Sequence, residues 1–299
     1  MLLKILGTAA GGGVPQWNCA CPGCAGARAH PERARLHASL AVSVEGGVPF
    51  VVNATPDIRR QLEIHPDLHP RPGGERTPRV TVVLTDAELD HTLGIAQLRE
   101  ANELVVWSTA VVRDALTRHL RLDAVLAPYT NLTWRTLPET SAPDGGARIA
   151  GLYVEAVPLS VKRPRYAADA PPAGAWSSAL RIKDPATGST VLYAPALAQW
   201  SPAFEDAAAG ADCVIVDGTF LDDPEPRRSG FSAKTATEMG HLPIHGAGGT
   251  AARLARLCGR CLYTHLNNSN PLLDPAAPQH KVLTDLGLEV AQDRMVIEL

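Results

Sequence analysis

Four side chains that can bind a metal ion are packed into six residues directly after an apolar stretch. They are Asp86, Glu88, Asp90 and His91. Three carboxylates so close together repel one another, and a bound cation would explain how such a loop can be ordered. The alternative is an ordinary acidic helix start, in which Asp86 or Asp90 accepts hydrogen bonds from the first amides of a helix over residues 93–100. The segment by itself leaves both interpretations open.

Three cysteines form a second possible metal site in the motif CxCxxC. Cys19, Cys21 and Cys24 lie in the segment WNCACPGC, where a Pro-Gly pair supplies a turn. Closely spaced thiolates suit tetrahedral zinc, and a closed site needs a fourth ligand from elsewhere, usually a histidine. We predict a structural zinc here, with unliganded thiols or a redox role as alternatives. The later CxxC of Cys258 and Cys261 has no nearby partner pair and indicates buried thiols.

These chemical groups must be positioned by strands. Apolar runs predict strands over residues 2–6, 48–52, 80–84, 212–216 and 261–264. Asp217 follows the run 212–216, and His265, Asn267 and Asn268 follow the run 261–264. Between these two runs, His241 lies at the end of a short predicted helix. In sheets covered by helices, ligands collect beyond the carboxyl ends of the strands. We therefore expect side chains that are distant in sequence to share one cavity with the acidic loop.

Two further segments carry candidate binding residues. Asp57 and Arg59 follow the run 48–52. They either bind a substrate or cofactor, support the residues that do so, or form the polar start of a short helix. The loop VKRPRY, residues 161–166, carries three cations. They are Lys162, Arg163 and Arg165. This loop is either a lid over an acidic substrate or, as the sequence favours, an exposed connection.

Composition limits the class of protein. The chain has 299 residues, 45% of them hydrophobic, which suffices for one large α/β domain spanning residues 1–299. A net charge of -3 without a basic cluster argues against a nucleic-acid partner. The first residues do not resemble a secretory signal, and no run reaches the roughly 20 apolar residues of a membrane span, so we expect a cytoplasmic protein without membrane insertion. Whether it forms a homodimer is left open.

Several motifs, taken in order, resemble those of a known family. GTAAGGGVPQWNCACPGC, TDAELDHTLG, VDGTF, MGHLPI and HLNNSNPLL resemble the metallo-β-lactamase superfamily, in the branch that holds transfer-RNA 3′ processing nucleases and cyclic phosphodiesterases. Within that branch they are most similar to the family of pyrroloquinoline quinone (PQQ) biosynthesis B proteins, over essentially the whole chain. The resemblance implies an αββα sandwich, in which two mixed sheets are flanked by helices.

The acidic loop departs from the superfamily motif. Hydrolases of this fold carry HxHxDH, whereas Asp86 and Glu88 replace the first two histidines here. Carboxylates are harder ligands than imidazoles, which shifts the preference from a zinc pair towards Fe(II) or another divalent metal. The expected active-site metal is therefore held by Asp90, His91 and Asp217, with Asp86 or Glu88 adding an oxygen. By the same resemblance we assign His265 to the structural zinc, with the active site as the alternative.

The resemblance also implies a function. The protein would be an iron-dependent oxygenase that uses O2 to hydroxylate the Glu-Tyr derived PQQ precursor, with His241 donating protons and Asn267 and Asn268 orienting the ligand. A second hypothesis is a carrier that binds PQQ or its precursor and assists its transport to the periplasm, since a degraded hydrolytic motif fits a binding protein. A residual metallo-hydrolase is the third.

Overall fold

The computed structural model describes residues 1–70, 73, 79–140, 145–171, 174–257 and 259–299, and the strands in these ranges form two seven-stranded sheets. The first sheet has the order β14-β1-β2-β3-β4-β5-β6. Its strands are β1 (Leu2–Gly7), β2 (Ser39–Ser43), β3 (Phe50–Val52), β4 (Arg79–Val83), β5 (Glu103–Ser108), β6 (Asn131–Thr136) and β14 (Val296–Glu298). The second has the order β13-β12-β11-β10-β9-β8-β7. Its strands are β7 (Ala147–Ile149), β8 (Leu152–Ser160), β9 (Ser177–Lys183), β10 (Thr190–Ala194), β11 (Cys213–Asp217), β12 (Arg260–Thr264) and β13 (Leu288–Val290).

Each sheet is half antiparallel and half parallel. In the first sheet β14, β1, β2 and β3 pair antiparallel, and β3, β4, β5 and β6 pair parallel. In the second sheet β7, β8, β9 and β10 pair antiparallel, and β10, β11, β12 and β13 pair parallel. The loops that carry the chemical groups follow β4, β11 and β12, which all belong to the parallel halves. Ligand sites typically form beyond the carboxyl ends of such strands.

The described helices are short. They are α1 (Pro22–Ala29), α2 (Ile58–Glu63), α3 (Leu89–Thr92), α4 (Ala110–Asp114), α5 (Leu122–Leu126), α6 (Pro202–Ala209), α7 (Glu225–Arg228), α8 (Ala236–Met239), α9 (Ala251–Leu254) and α10 (Gln279–Asp285). A π-helical turn, Ala115–His119, continues α4, and a 3₁₀ helix, Leu93–Leu98, continues α3. No described helix has the length and hydropathy needed to cross a membrane.

The described residues form three apolar clusters, which lie between the four layers of the fold. Between the sheets, Ile5 and Leu40 of the first pack with Leu180 and Ile215 of the second. On the outer face of the first sheet, residues of β4 and β5 pack against α2 and α4. On the outer face of the second sheet, residues of β10 and β11 pack against α6 and α9. This arrangement confirms the predicted αββα sandwich, because each sheet buries one face against the other sheet and one against helices.

The thiol segment folds differently from the expectation. Pro22 and Gly23 do not form a turn, because Pro22 begins α1 and Cys21 is its N-cap. Proline is favoured at the first helical position, where its missing N–H is not needed. Cys24 therefore lies in the first turn of a helix, and its thiol is buried.

Candidate metal centre

The acidic loop is fixed between the two sheets. After β4, Asp86 pairs with Ser177 of β9 in an isolated bridge, and Ser178 N donates to Thr85 O at 2.8 Å. Further along, Gly94 N donates to Ala54 O at 2.8 Å, and a Cβ at Gly94 would lie only 1.9 Å from a backbone oxygen. Glycine is required at this close approach. The loop is thus held on both sides by backbone contacts.

His91 is oriented by a buried chain of polar groups. Its Nδ1 lies 2.7 Å from Asp86 Oδ2, which also accepts a hydrogen bond from Thr85 Oγ1 at 2.7 Å. Thr85 Oγ1 in turn accepts from Asn53 Nδ2 at 3.0 Å. His91 Nε2 is buried and has no hydrogen-bond partner among the described residues. A histidine that donates one N–H to a carboxylate and leaves its other nitrogen free is typical of a metal ligand.

Asp90 lies between His91 and His265. Its Oδ2 is 3.3 Å from His265 Nε2 and 3.8 Å from His91 Nε2. Burial opposes ionisation of Asp90, but the nearby charge of His91 and the hydrogen bond with His265 outweigh it and lower the pKa of this carboxyl. For His91, burial is outweighed by the charges of Asp86 and Asp90, which raise its pKa to about 9. A divalent cation could replace this proton between the same charges.

His265 is held in an uncommon backbone conformation. It follows β12 with a φ of 59°, and its Nδ1 lies 2.8 Å from Thr219 Oγ1. Non-glycine residues adopt this region only where their surroundings fix it. Burial lowers the pKa of His265, which favours the neutral imidazole that metal binding requires.

Asp217 is saturated with hydrogen bonds from the protein. Its Oδ1 accepts from Thr219 N at 2.9 Å and Thr219 Oγ1 at 2.5 Å, and its Oδ2 accepts from Leu197 N at 2.8 Å and lies 2.7 Å from His241 Nδ1. A carboxylate has about four acceptor positions. Burial opposes ionisation of Asp217, but His241 outweighs it and lowers the pKa of the carboxyl. Asp217 therefore positions Thr219 and His241.

Among the described residues, the potential metal-ligand atoms form three groups, and the atoms of each group lie within 4.8 Å of one another. The groups are Cys19, Cys21 and Cys24; Asp90, His91 and His265; and Asp217, His241 and His265. The expected trio of Asp90, His91 and Asp217 is not one of these groups. His265 takes the place of Asp217 beside Asp90 and His91, which corrects the expectation. Its assignment to the structural zinc is also wrong, because its Nε2 lies beside Asp90, its Nδ1 contacts Thr219, and it does not belong to the thiol group.

The two other carboxylates of the loop do not join the ligand groups formed by the described residues. Asp86 Oδ2 is engaged by His91 and Thr85, and Asp86 Oδ1 accepts from Glu88 N at 2.9 Å. Glu88 is exposed at the edge of the cavity, where desolvation and the charges of Asp86 and Asp90 raise its pKa. The expectation that one of them adds an oxygen to the metal is therefore not supported by the geometry. Asp86 instead orients His91.

The three thiols form a separate group. Cys21 Sγ lies 3.1 Å from Asn268 O, and Gln16 N donates to Cys24 Sγ at 3.2 Å. No described histidine, aspartate or glutamate completes the group. A backbone hydrogen bond from Cys21 lowers the pKa of Cys19, whereas desolvation raises that of Cys21 to about 11. Zinc would favour deprotonation of all three thiols.

A cavity of about 550 Å³ opens onto the centre. Of the predicted site residues, it is lined by Asp86, Glu88, Asp90, His91, His241, His265 and Asn267. His241 Nδ1 is engaged by Asp217 and Thr219, so Nε2 is the nitrogen available to a ligand. Asn268 Nδ2 donates to Gln16 Oε1 outside the lining. Asp57 and Arg59 do not line the cavity, so the expectation that they contact a ligand there is not supported.

Two residues beside the metal centre, His37 and Thr219, were not predicted from the sequence. Asp57 accepts from the ring of His37, whose Nδ1 lies 2.6 Å away, and His37 Nε2 lies 3.2 Å from Gly11 O. Gly11 packs against Asp90, so this pair supports the wall of the centre. Thr219 links Asp217 to His265. Thr219 could have been found from its position in the motif VDGTF. No sequence motif pointed to His37.

Comparison with known proteins identifies the family. Residues 49–266 match the model of the β-lactamase superfamily domain. The chain is 40% identical to coenzyme PQQ synthesis protein B of Cupriavidus necator over 303 residues, which cover 99% of each chain. The chain belongs to the coenzyme PQQ synthesis protein B family.

Two solved structures resemble this family member. The crystal structure of Zn²⁺-bound PqqB from Methylobacterium extorquens superposes with a TM-score of 0.88 at 34% identity and covers 100% of both chains. A diphosphatase of the PhnP family matches with a TM-score of 0.67 at 16% identity, covering 100% of this chain and 97% of its own. The second likeness shows the shared fold alone. Both agree with the αββα architecture of the described residues.

Proposed function

We propose that this protein is an iron-dependent oxygenase of PQQ synthesis, which hydroxylates the tyrosine-derived ring of a Glu-Tyr derived precursor. The observation that supports it is the convergence of Asp90, His91 and His265 at the wall of an open cavity. Two histidines and one carboxylate that leave coordination positions free are typical of non-haem Fe(II) oxygenases. The same donor types also hold catalytic zinc, so the metal must be tested directly.

Three side chains of this centre could bind a cation, and two of them are oriented by hydrogen bonds. The free Nε2 of His91 and the neutral ring of His265 would be two ligands, and the ionised Asp90 would be the third. Asp86 orients the His91 ring through its Nδ1, and Thr219 orients the His265 ring through its Nδ1. Fe(II) would supply the O2 chemistry that ring hydroxylation requires.

His241 is the residue that we propose moves protons at the substrate. Asp217 accepts a hydrogen bond from His241 Nδ1, which fixes the tautomer and leaves Nε2 free. His241 lines the cavity beside Asn267, whose amide donates to Ser269 Oγ at 2.6 Å and is thereby held in place. These two side chains can contact a substrate without being ligands of the metal.

We also propose that the three thiols hold a structural zinc. Three converging sulfur atoms fit the tetrahedral preference of zinc. The Asn268 carbonyl, which lies beside Cys21 Sγ, or a water molecule would occupy the fourth position in place of the expected histidine. The chain would then contain one zinc with sulfur ligands and one iron with nitrogen and oxygen ligands.

The first test is metal analysis of protein purified anaerobically without added metal. The proposal expects one zinc and one iron per chain, with iron lost in Asp90→Ala and His265→Ala and both metals retained in the surface control His69→Ala. Zinc in both sites would contradict the oxygenase.

The second test is O2 consumption with 3-(2-amino-2-carboxyethyl)tyrosine and a reductant such as ascorbate. Ring hydroxylation by a monooxygenase consumes one O2 and two electrons per product, since the second oxygen atom leaves as water. Mass spectrometry with ¹⁸O2 should show one labelled oxygen in the ring. Tight binding of PQQ by a protein without the second metal and without O2 consumption would support the carrier instead.

A further inference from the structure

The segment 161–166 forms a wall of the cavity and is attached to the metal loop. Lys162 N donates to Ser160 Oγ at 3.1 Å, directly after β8 ends. Tyr166 Oη donates to Ala87 O at 2.6 Å, within the loop that carries Asp90 and His91. The sequence favoured an exposed connection, and Val161, Lys162 and Arg165 are exposed. The segment also lines the cavity and is hydrogen-bonded to the metal loop, so it is more than a connection. Its hydrogen bond to Ala87 connects it to the loop that positions the metal ligands Asp90 and His91.

Three cations of this wall line the cavity, but two of them are already engaged. Arg163 Nη1 donates to Ala168 O at 2.8 Å and to Ala170 O at 2.6 Å, which joins the segment to the residues that follow it. Lys162 Nζ donates to the carbonyl of Met239. Arg165 makes no hydrogen bond or ion pair within the described part of the chain, and it is an exposed residue of the cavity lining.

The charge of the cavity favours an anionic ligand once a cation is bound. Its carboxylates are Asp86, Glu88 and Asp90, and they equal the three cations of the wall in number. The carboxylates lie on the metal loop, and the cations lie on the segment 161–166. A divalent ion at the metal centre would compensate the carboxylates, so the cations of the segment 161–166 would leave the cavity with an excess of positive charge.

We propose that Arg165 is a specificity-determining residue that binds a carboxylate of the substrate in this cavity. The free guanidinium offers a planar pair of donors that matches a carboxylate in a bidentate geometry. The cavity thus selects aromatic substrates that carry a carboxylate on a side arm, with the ring directed towards the metal centre. This inference rests on the proposed function for the identity of the ring.

The experiment measures binding rather than turnover. Protein loaded with zinc in both sites is titrated calorimetrically under nitrogen with 3-(2-amino-2-carboxyethyl)tyrosine and with its diamide, which has the same shape without the two negative charges. We expect the wild-type protein to bind the dicarboxylate at least about tenfold more tightly than the diamide. In Arg165→Gln this preference should fall by at least about tenfold, to nearly equal binding of the two probes, because a charge-assisted pair is lost.

Two further variants make the result decisive. Arg165→Lys keeps the charge without the bidentate geometry and should retain part of the preference. Arg148→Gln changes an exposed arginine that does not line the cavity and should leave the preference unchanged. Equal binding of the two probes by the wild-type protein, absence of binding by the dicarboxylate, or an unchanged preference in Arg165→Gln would overturn the inference. Failure of the oxygenase proposal would appear in the O2 measurements and would leave these affinities as they are.

Discussion

The thiol group takes its three donors from six residues of one segment, whereas the Asp90, His91 and His265 group takes its donors from loops that follow strands of two different sheets. The thiols have only a few hydrogen bonds around them. The second group is backed by the buried chain of Asn53, Thr85 and Asp86 on one side. On its other side lie Thr219 and Asp217.

This difference indicates two kinds of site. Local donors with soft sulfur atoms can close around zinc and stabilise a short segment. Donors from distant strands, held by their own hydrogen bonds, can keep an open geometry that leaves positions for ligands. The comparison predicts that the sites lose their metals independently.

The largest effect is expected from removing one ligand at each site. His265→Ala should weaken metal binding at the open centre by more than about 100-fold, since the outer partners of a ligand alone contribute about 10- to 100-fold. Cys24→Ser should release the zinc and lower the free energy of unfolding by about 4 kcal/mol or more. Metal content by mass spectrometry and unfolding in urea measure both.

One of these variants also tests whether the sites are independent. His265→Ala should keep its zinc. Loss of both metals in His265→Ala would show that the sites are coupled, and the comparison would fail.

The next effect concerns the support of His91. Asp86→Asn removes the charge that orients the ring and should weaken metal binding at the open centre by about 10- to 100-fold. Glu88→Gln is the matched control, because Glu88 lines the same cavity but is outside the ligand group. An equal loss of affinity in the two variants would show that charge at the cavity, and not the Asp86 contact, determines the affinity.

A further effect, smaller for each step of one pH unit, is the dependence of metal binding on pH. The pKa of His91 is raised to about 9 in the metal-free protein, so at lower pH a proton must leave before the nitrogen can bind a metal. The affinity for Mn²⁺ should therefore rise about tenfold per pH unit from neutral pH to about pH 9 and then level off. Competition titrations at constant ionic strength measure this slope. A flat profile would show that His91 is not protonated in the metal-free site.

The smallest effect is expected at a cysteine outside the thiol group. Cys261 is buried in β12, and burial raises its pKa to about 11, so it is a poor zinc ligand. Its CxxC partner Cys258 lies outside the described residues. Cys261→Ala should leave the zinc content unchanged and cost about 1 kcal/mol of stability. Loss of zinc from this variant would extend the thiol site beyond its six residues.

Much of the architecture could be predicted from the sequence. The apolar runs at residues 80–84, 212–216 and 261–264 correspond within about one residue to β4, β11 and β12. Such runs can be recognised in the sequence because strands buried on both faces need continuous apolar side chains. The helix predicted over residues 93–100 begins earlier, as α3 and the 3₁₀ helix Leu93–Leu98, since short turns depend on tertiary contacts such as that of Gly94.

The sequence by itself determined which residue types stand at the strand ends, the CxCxxC group and the departure from HxHxDH. Only the tertiary structure decided that His265 joins Asp90 and His91, that Asp217 is occupied by its own hydrogen bonds, and that the segment 161–166 lines the cavity. The physical reason is that spacing along the chain fixes only local neighbours. Which of two nearby carboxylates has a free oxygen depends on donors that other strands and loops supply, such as Leu197 N and Thr219 Oγ1 at Asp217.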